Sequence, residues 1–281
     1  MKNRLATITI CTFLVVFASA CIPNQVNSPV IKKWTVIENE KEVKYMTIDG
    51  IMVHETDPVK QPQPKTVTPG TDGSAPSDAI VLFDGTEDSF KNNWTDLQGK
   101  PTKWKFVDGA IESVKKAGYI QTKQKFGSCQ LHIEWASPVV KKGKGQGSGN
   151  SGVFLMGTYE IQVLDSYENV TYPDGQAGSL YGRSKPLVNA CRPQGQWQSY
   201  DVIFHRPIFD SKGNVKKQAT FTVLHNGVLI QDHYSLTGGT HWEGPHSVID
   251  YYAHDDKLPL SLQDHGNPVR FRNIWIRELE D

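Results

Sequence analysis

The sequence predicts an all-β protein, built as an antiparallel β-sandwich of two sheets. Short runs alternate apolar and polar side chains, as in QLHIEW (130–135) and YDVIF (200–204), which is the pattern of half-buried strands. Asn226-Gly227 stands between FTVLH and VLIQD and is a strong local signal for a hairpin. No segment carries a long helical apolar period. About 200 residues of such strands and turns, over 79–281, are typical of one two-sheet domain.

The first twenty residues predict an export signal. Lys2 and Arg4 precede an apolar stretch at 8–17 that is too short to span a bilayer. The Ala18-Ser19-Ala20-Cys21 that follows resembles a bacterial lipoprotein signal, in which the cysteine is lipidated. We therefore expect a lipoprotein signal peptide at 1–20 and a lipid on Cys21, which would anchor an exported protein at a periplasmic or cell-surface membrane. Simple cleavage after Ala20 is the alternative.

Residues 21–78 have the composition of an extended tether that follows this anchor. The stretch at 59–78, VKQPQPKTVTPGTDGSAPSD, is rich in Pro, Gly, Ser and Thr and has too few apolar residues to fold alone. Before it, WTVIENEKEVKYMTIDGIMVHE (34–55) has the pattern of a hairpin. Such a spacer would hold the domain away from a membrane to which only the lipid attaches.

Charge and cysteine usage narrow the range of partners. The chain has 30 basic and 30 acidic side chains without a basic run, which argues against a nucleic-acid partner and favours a small, neutral ligand. Besides Cys21, the mature chain would keep only Cys129 and Cys191, which lack zinc-site spacing. We expect two free thiols, although export would permit a disulfide between them.

The glycine-rich segment KKGKGQGSGNSG (141–152) fits G-x-G-x-x-G at Gly147, Gly149 and Gly152. A dinucleotide site needs these glycines to lead into a helix, but here they lead into the apolar strand start VFLM. We therefore expect a loop beside a site, with Asn150 and Ser151 as candidate ligand contacts. A plain linker is equally compatible with the pattern.

Carboxylates on two predicted strands are candidate catalytic groups. In YEIQVLDS (159–166), alternation puts Glu160 and Gln162 on one face and Asp165 on the other, which disfavours a paired-carboxylate glycosidase on this strand. Glu134, on the polar face of QLHIEW, could supply a carboxylate from a neighbouring strand. The alternative for both glutamates is a solvated sheet face.

The segment LQDHGNPVRFRNIWIR (262–277) places polar side chains at the start of a C-terminal strand. Val269 and Phe271 have the opposite parity to Ile274 and Ile276, so the strand is either buried on both faces or interrupted by a bulge near Arg272-Asn273. Its arginines need anionic partners, and a structural ion pair with Glu160, Glu134 or Asp264 would supply one. His265, in a glycine-flanked loop, is a candidate general acid/base or metal ligand.

Seven motifs occur in order along the chain and together carry a family resemblance. They are VLFDG (81–85), KWKFVDGAI (103–111), GNSGVFLMGTYEIQVLDS (149–166), YPDGQAGSLYG (172–182), PLVNACRPQGQWQSYDVIF (186–204), VLHNGVLIQDH (223–233) and LSLQDHGNPVRFRNIWIR (260–277). These motifs resemble the 3-keto-disaccharide hydrolase domain, and the resemblance covers nearly all of 79–281. It implies a concanavalin-A-like jelly roll, the lectin/glucanase fold.

The resemblance also implies a substrate, a glycoside or disaccharide whose C3 hydroxyl has been oxidised to a ketone. A C3 ketone acidifies the C2 proton, so a base removes it, the enolate expels the C1 aglycone, and water adds to give the free 3-keto sugar. This route requires one base, an electrophile for the enolate oxygen and an acid for the leaving group. It also implies a companion sugar 3-oxidase that supplies the substrate.

Carried onto this sequence, the resemblance implies roles for twelve residues as a group. The catalytic candidates are Glu160 or Glu134 as the base, His265 as the acid or carbonyl-polarising group, and Arg270 to offset enolate charge. A divalent cation is an alternative electrophile, with no ligands that the sequence identifies. The substrate-binding candidates are Asn150, Ser151, Gln162, Tyr181, Trp197, Gln263, Asp264 and Arg272, of which Tyr181 and Trp197 would stack on sugar rings.

Two other functions are compatible with the same fold. A non-catalytic lectin would bind carbohydrate with aromatics and hydrogen bonds and would need no base near a histidine. An interaction module would expose an apolar patch in place of a polar cleft. The sequence favours the keto-glycoside enzyme over both.

Overall fold

The computed structural model describes residues 29–38, 41–56, 60, 63–140 and 143–281, so the predicted signal peptide and Cys21 lie outside it. The chain forms two compact units, the first ending at Thr66 and the second spanning Val67–Asp281. The first contains an antiparallel sheet of β1 (Ile31–Glu38), β2 (Lys41–Ile48) and β3 (Ile51–Met52). None of the helices in the described ranges is long and apolar enough to cross a membrane.

The second unit contains two antiparallel sheets, as the sequence predicts. In spatial order, the smaller sheet consists of β11 (Tyr159–Val163), β10 (Ser151–Leu155), β17 (Leu258–Leu262), β8 (Ile120–Phe126) and β5 (Trp94–Asp96). The larger sheet consists of β16 (Val228–Ser235), β15 (Thr220–His225), β12 (Gln198–His205), β9 (Cys129–Ala136), β18 (Arg270–Glu278), β7 (Ala110–Glu112) and β6 (Lys105–Val107), with β4 (Ile80–Phe83) also paired to β18.

Short elements complete the second unit. The helix α1 (Glu87–Asn93) begins at Thr86, whose side chain accepts a hydrogen bond from the Ser89 amide and so caps the helix. The strands β13 (Ile208–Phe209) and β14 (Val215–Lys217) form a small hairpin, and 3-10 turns lie at Gly145–Gly147 and Pro173–Gly175.

Side chains from the inner faces of both sheets form one hydrophobic core. The inward residues of β9, β12 and β11 alternate along each strand and are at most 1% exposed: Leu131, Ile133, Trp135, Tyr200, Val202, Phe204, Tyr159, Ile161 and Val163. Because successive side chains point to opposite faces of a strand, Glu134 lies on the outer face of the larger sheet. For the same reason Glu160 and Gln162 lie on the outer face of the smaller sheet. The two candidate bases are therefore on opposite sides of the sandwich.

The predicted hairpin at Asn226-Gly227 is confirmed. His225 pairs with Val228, and the two residues between them have φ of 54° and 79°. Both central residues of a type I′ turn need positive φ, which asparagine and glycine tolerate best.

Of the two alternatives that the sequence left open for the last strand, the structure shows the bulge near Arg272-Asn273. Arg272 pairs with Glu134 of β9, but Trp275 pairs with His132, so β18 carries one extra residue between these pairs. Asn273 lies there with φ of 47°. The extra residue switches the parity of the strand, so that residues of both parities are fully buried: Val269, Phe271, Ile274 and Ile276.

The segment 67–79 packs on this C-terminal strand. The carbonyl of Gly73 accepts hydrogen bonds from Asn273 Nδ2 at 3.0 Å and Trp275 Nε1 at 2.8 Å. The Arg277 guanidinium donates to both carboxylate oxygens of Asp78, at 2.9 and 2.8 Å. The second unit thus begins at Val67, ahead of the boundary at residue 79 that the sequence predicts.

Candidate active site

The smaller sheet carries a cavity of about 420 Å³ on its outer face. Six of its lining residues are among those predicted from the sequence: Asn150, Glu160, Gln162, Tyr181, Gln263 and His265. The other five are Tyr119, Phe154, Tyr172, His241 and Trp242. The cavity therefore combines one carboxylate, two imidazoles, three amides and aromatic rings, which is a set of groups suited to a sugar.

Strand order explains why residues far apart in sequence meet here. Glu160 on β11 lies opposite Phe154 on β10, and Phe154 lies opposite Ser261 on β17. Gln263 and His265 follow β17 directly, so the C-terminal turn reaches the cavity through this strand. The structure therefore brings Glu160 and His265 to one hollow.

Glu160 is the carboxylate of this cavity. Its side chain is 4% exposed, and its carboxylate makes no side-chain hydrogen bond or ion pair within the described ranges. Burial therefore raises the pKa of Glu160 to about 8. Its backbone is fixed, because its amide donates to Thr240 Oγ1 at 2.8 Å and that hydroxyl donates to the Thr158 carbonyl at 3.0 Å. A rigid, buried carboxylate with this pKa suits a general base near neutral pH.

Gly152 makes room for this carboxylate. It lies opposite Gln162 on the neighbouring strand, and a Cβ at this position would overlap Oε1 of Glu160 and come within 2.7 Å of the Phe154 ring. The third glycine of the G-x-G-x-x-G pattern thus serves the Glu160 cavity. The glycines lead into β10 and not into a helix, which agrees with the rejection of a dinucleotide site.

A buried amide network fixes the orientation of two cavity residues. Gln146 Oε1 accepts from Gln162 Nε2 at 2.9 Å and from Asn150 Nδ2 at 3.1 Å. In the part of the chain that the structure describes, the buried Oε1 of Gln162 accepts no hydrogen bond, and neither does Oε1 of Gln263, whose Nε2 donates to the Tyr119 hydroxyl at 2.5 Å. Both oxygens are therefore available to accept hydrogen bonds from a ligand in the cavity, and sugar hydroxyls are donors of this kind.

Six contributors to the site were missed by sequence reasoning: the lining residues Tyr119, Phe154, Tyr172, His241 and Trp242, and Gln146, which bonds to Gln162 and Asn150. Gln146 lies in the glycine-rich loop, where nothing in the local pattern marks it as a hub. His241 and Trp242 lie in the segment GGTHWEG (238–244) between β16 and β17, and Trp242 is 59% exposed. The only sequence feature that could have indicated a role for His241 and Trp242 is their position between glycines in a long loop.

Glu134 is a correction to the predicted site, because it lies on the other sheet and is already paired. Its carboxylate accepts from Arg272 Nε at 2.7 Å and from Asn273 Nδ2 at 2.9 Å. Burial alone would raise the pKa of Glu134, but hydrogen bonds from His132, Asn273 and Arg272 outweigh it and lower the pKa to about 2. So weak a base is unsuited to proton abstraction, and the structural ion pair is the role observed.

Arg270, Arg272 and Trp197 are also placed away from the Glu160 cavity. The Arg272 guanidinium lies 4.1 Å from the Trp197 ring centroid and that of Arg270 lies 5.4 Å from it, so the Trp197 ring packs against two arginines and does not line the Glu160 cavity. Arg270 instead lines a separate cavity of about 730 Å³ with Lys115 and Pro268. The bulge and the pairing of β18 with β9 carry both arginines to the larger sheet.

Ser151 and Asp264 support the C-terminal turn and do not line the cavity. Ser151 Oγ is buried and donates to the Gln263 carbonyl at 2.6 Å. Asp264 accepts from the Gly266 amide at 2.8 Å and from the Gly118 amide at 3.2 Å. Both residues therefore position Gln263 and His265.

Within the described ranges, no three His, Cys, Asp or Glu side chains cluster as metal ligands, so no ligand set is identified for the divalent cation that the sequence left as an alternative electrophile.

Known proteins resemble this chain over most of its length. Residues 78–277 match the family described as the 3-keto-alpha-glucoside-1,2-lyase-like domain. A curated relative from Bacteroides thetaiotaomicron, named 3-keto-disaccharide hydrolase, is 25% identical over 256 residues, which cover 72% of this chain and 78% of the relative.

Two solved structures from Parabacteroides distasonis, both provisionally described as glycosyl hydrolases, share the fold. One is 47% identical to this chain, with a TM-score of 0.75, and the match covers 82% of this chain and 98% of the solved chain. The other is 20% identical to this chain, with a TM-score of 0.52, and the match covers 72% of this chain and 94% of the solved chain. At this identity the likeness shows the fold alone. The names of these relatives, together with the Glu160 cavity, support a glycoside-cleaving enzyme. The chain belongs to the 3-keto-alpha-glucoside-1,2-lyase-like domain family.

Proposed function

We propose that the cavity around Glu160 cleaves 3-keto-glycosides by elimination followed by hydration. The observation that carries the proposal is the Glu160 carboxylate, which is buried, has no side-chain partner among the described residues, and has a pKa raised to about 8. One such carboxylate matches a reaction that needs a single base. The second candidate, Glu134, is ion-paired on the other sheet.

In the first step, the Glu160 carboxylate takes the C2 proton of the bound sugar. The C2–H electron pair forms a C2=C3 bond while the C3 carbonyl becomes an enolate oxygen. Collapse of the enolate restores the carbonyl, forms a C1=C2 bond and expels the C1 oxygen of the aglycone, which takes a proton from an acid. Water then adds at C1 and a proton returns to C2, which yields the free 3-keto sugar.

The remaining cavity residues fill the other roles. His265 donates the proton to the leaving oxygen, since an imidazole can serve as a general acid near neutral pH. The Tyr119 hydroxyl accepts from Gln263 Nε2 and so keeps its own proton free to donate to the enolate oxygen. The unpartnered oxygens of Gln162 and Gln263 accept from sugar hydroxyls. In this proposal Tyr119 stabilises the enolate charge, the role that the family resemblance implied for Arg270.

We also propose that the protein acts outside the cytoplasm on a substrate that a companion oxidase prepares. This rests on the N-terminal sequence, in which Ala18-Ser19-Ala20-Cys21 follows a basic and then an apolar stretch. The reaction itself requires that the C3 hydroxyl be oxidised first. Mass spectrometry of the mature N-terminus tests the membrane anchor. A diacylated Cys21 would support the anchor, and an unmodified residue 21 would contradict it.

The decisive experiment compares oxidised and unoxidised substrates with matched variants. The wild-type protein should release sugar from 3-keto-trehalose and 3-keto-lactose but not from trehalose or lactose. Glu160→Gln should lower kcat by about 10²- to 10⁴-fold, the range for a lost general base. Glu134→Gln is the control, and it should retain kcat when assayed well below its Tm, because Glu134 lies outside the cavity.

Other outcomes would redirect the assignment. Binding of keto sugars without turnover by the wild type would indicate the lectin function instead. Full turnover by Glu160→Gln would remove this residue from the role of base. Loss of kcat in Glu134→Gln with an unchanged Tm would return Glu134 to the active site.

A further inference from the structure

A second, smaller cavity of about 160 Å³ adjoins the first. The two share three lining residues, Tyr181, His241 and Trp242, so these side chains form a common wall. The residues that line only the second cavity include Asp174 and His246. The two cavities thus form a cleft with two compartments, and Glu160 lies in only one of them.

The second compartment offers what a sugar ring needs. The Asp174 carboxylate is half-buried and accepts no hydrogen bond from the described part of the chain, so it is free to accept from hydroxyls. Trp242, at 59% exposed, adds an aromatic ring to the lining of the same cavity. Aromatic faces and carboxylate acceptors in combination recognise polyhydroxylated rings and have little to offer a small alkyl group.

The wall between the compartments is held by a clasp at the base of its loop. Arg183 Nε donates to the Gly239 carbonyl at 2.8 Å, and Nη2 donates to the Ile249 carbonyl. The Gly239 amide also donates to the Ile249 carbonyl at 3.1 Å. These bonds join the two ends of the loop 240–248, and Thr240 ties the loop to the Glu160 amide. The position of His241 and Trp242 is therefore coupled to the backbone that carries the base.

We propose that this second compartment is the leaving-group subsite, which selects glycosides whose aglycone is itself a sugar ring. The proposal rests on the proposed function, because it takes the keto ring to lie beside Glu160. Trp242 stacks on the leaving ring and Asp174 accepts from its hydroxyls. Arg183 is a positioning residue that holds the loop in place without contacting the reacting atoms.

The test uses two substrates that share the keto ring and differ in the leaving group, 3-keto-trehalose and methyl 3-keto-α-glucoside. Asp174→Asn should lower kcat/KM for the disaccharide by about tenfold and change it less than twofold for the methyl glycoside, because Asp174 lines only the second cavity. Trp242→Ala, which alters a side chain shared by both cavities, should lower kcat/KM about tenfold more for the disaccharide than for the methyl glycoside. The variant-to-wild-type ratio for each substrate cancels the different intrinsic reactivities of the two leaving groups. Val248→Ala is the matched control, because Val248 is exposed on the same loop and lines neither cavity.

The positioning role of Arg183 must be tested with a measurement that a simple loss of protein stability would not reproduce. Arg183→Ala should raise KM for the disaccharide more than it lowers kcat, and Arg183→Lys, which keeps one donor, should recover part of the loss. Equal losses on both substrates in Trp242→Ala would place Trp242 against the keto ring and overturn the proposal. Unchanged kinetics on both substrates would overturn it as well.

A binding measurement separates failure of the subsite from failure of the proposed function. If the wild type turns over neither keto substrate, the proposed function fails, but titration calorimetry with trehalose and with methyl α-glucoside still tests the subsite. The wild type should bind the disaccharide more tightly than the monosaccharide, and Trp242→Ala should remove that difference. Equal affinity of the wild type for both sugars would exclude a second sugar-binding compartment.

Discussion

At the residue scale, Glu160 determines the pH dependence expected of the reaction. Burial raises the pKa of its carboxyl from the ordinary value of 4.5 to about 8, so the protonated form dominates below that pH and cannot act as a base. We expect kcat/KM to rise by up to about tenfold per pH unit on the acidic side, as Glu160 loses its proton, and to fall at alkaline pH, because the leaving group needs a protonated acid. A pH–rate profile between pH 5.5 and 9.5 measures this rise. A rate that is flat or falling on the acidic side of this interval would contradict Glu160 as the base.

Gly152 is the residue whose replacement should misplace that base without removing it. The added methyl of Gly152→Ala would overlap Oε1 of Glu160, so the carboxylate must shift. We expect kcat to fall by about 10- to 100-fold with a smaller change in KM, since small displacements of reacting groups are costly. Gly147→Ala is the control, because a Cβ there meets nothing within 4 Å. Equal kinetics of the two variants would show that the carboxylate has room to move.

At the element scale, the bulge of β18 depends on one residue with positive φ. Asn273 has φ of 47° and donates to Glu134. Asn273→Ala should lower the free energy of unfolding by about 1–3 kcal/mol, because alanine tolerates this φ poorly and the hydrogen bond is lost. Asn273→Gly loses the same bond but accepts the φ, so it should be the more stable of the two. Urea unfolding measures both, and identical stabilities would mean that backbone strain is absent.

The same element shows what sequence can predict. The hairpin at Asn226-Gly227 and the bulge near Arg272 were predictable, because each is encoded by turn residues or by parity within one short segment. The partner of Arg272 was left open among Glu160, Glu134 and Asp264, since pairing depends on which strands become neighbours. Periodicity gives the face of a strand and not the sheet to which it belongs. For this reason the sequence grouped Glu134 with Glu160, although the sandwich separates them.

Long loops limited prediction of the site in a different way. His241 and Trp242 reach the cavity from a loop without periodicity, held by Arg183 and Thr240 through contacts that only the folded chain creates. Gln146 acts through Gln162 and Asn150, and its role follows from the position of their amides. By contrast, His265 and Gln263 were found because they flank a turn at a strand end, where binding residues commonly lie.

At the scale of the whole molecule, the sandwich does not depend on a disulfide. Cys129 and Cys191 are free thiols, and burial raises the pKa of both, that of Cys191 to about 11, which disfavours the reactive thiolate. The protein should therefore show the same Tm with and without dithiothreitol in thermal unfolding followed by circular dichroism. A lower Tm under reducing conditions would reveal a bond between them.

The pairing of β4 with β18 has a practical consequence for handling this protein. Ile80 lies opposite Ile276, so the chain enters and leaves the sandwich along adjacent strands of the larger sheet, while Glu160 lies on the smaller one. Fusion partners or surface-attachment tags joined near either end should thus leave substrate access unobstructed. A circular permutant that links these ends and opens the chain at the exposed Lys212 turn is a reasonable engineering route.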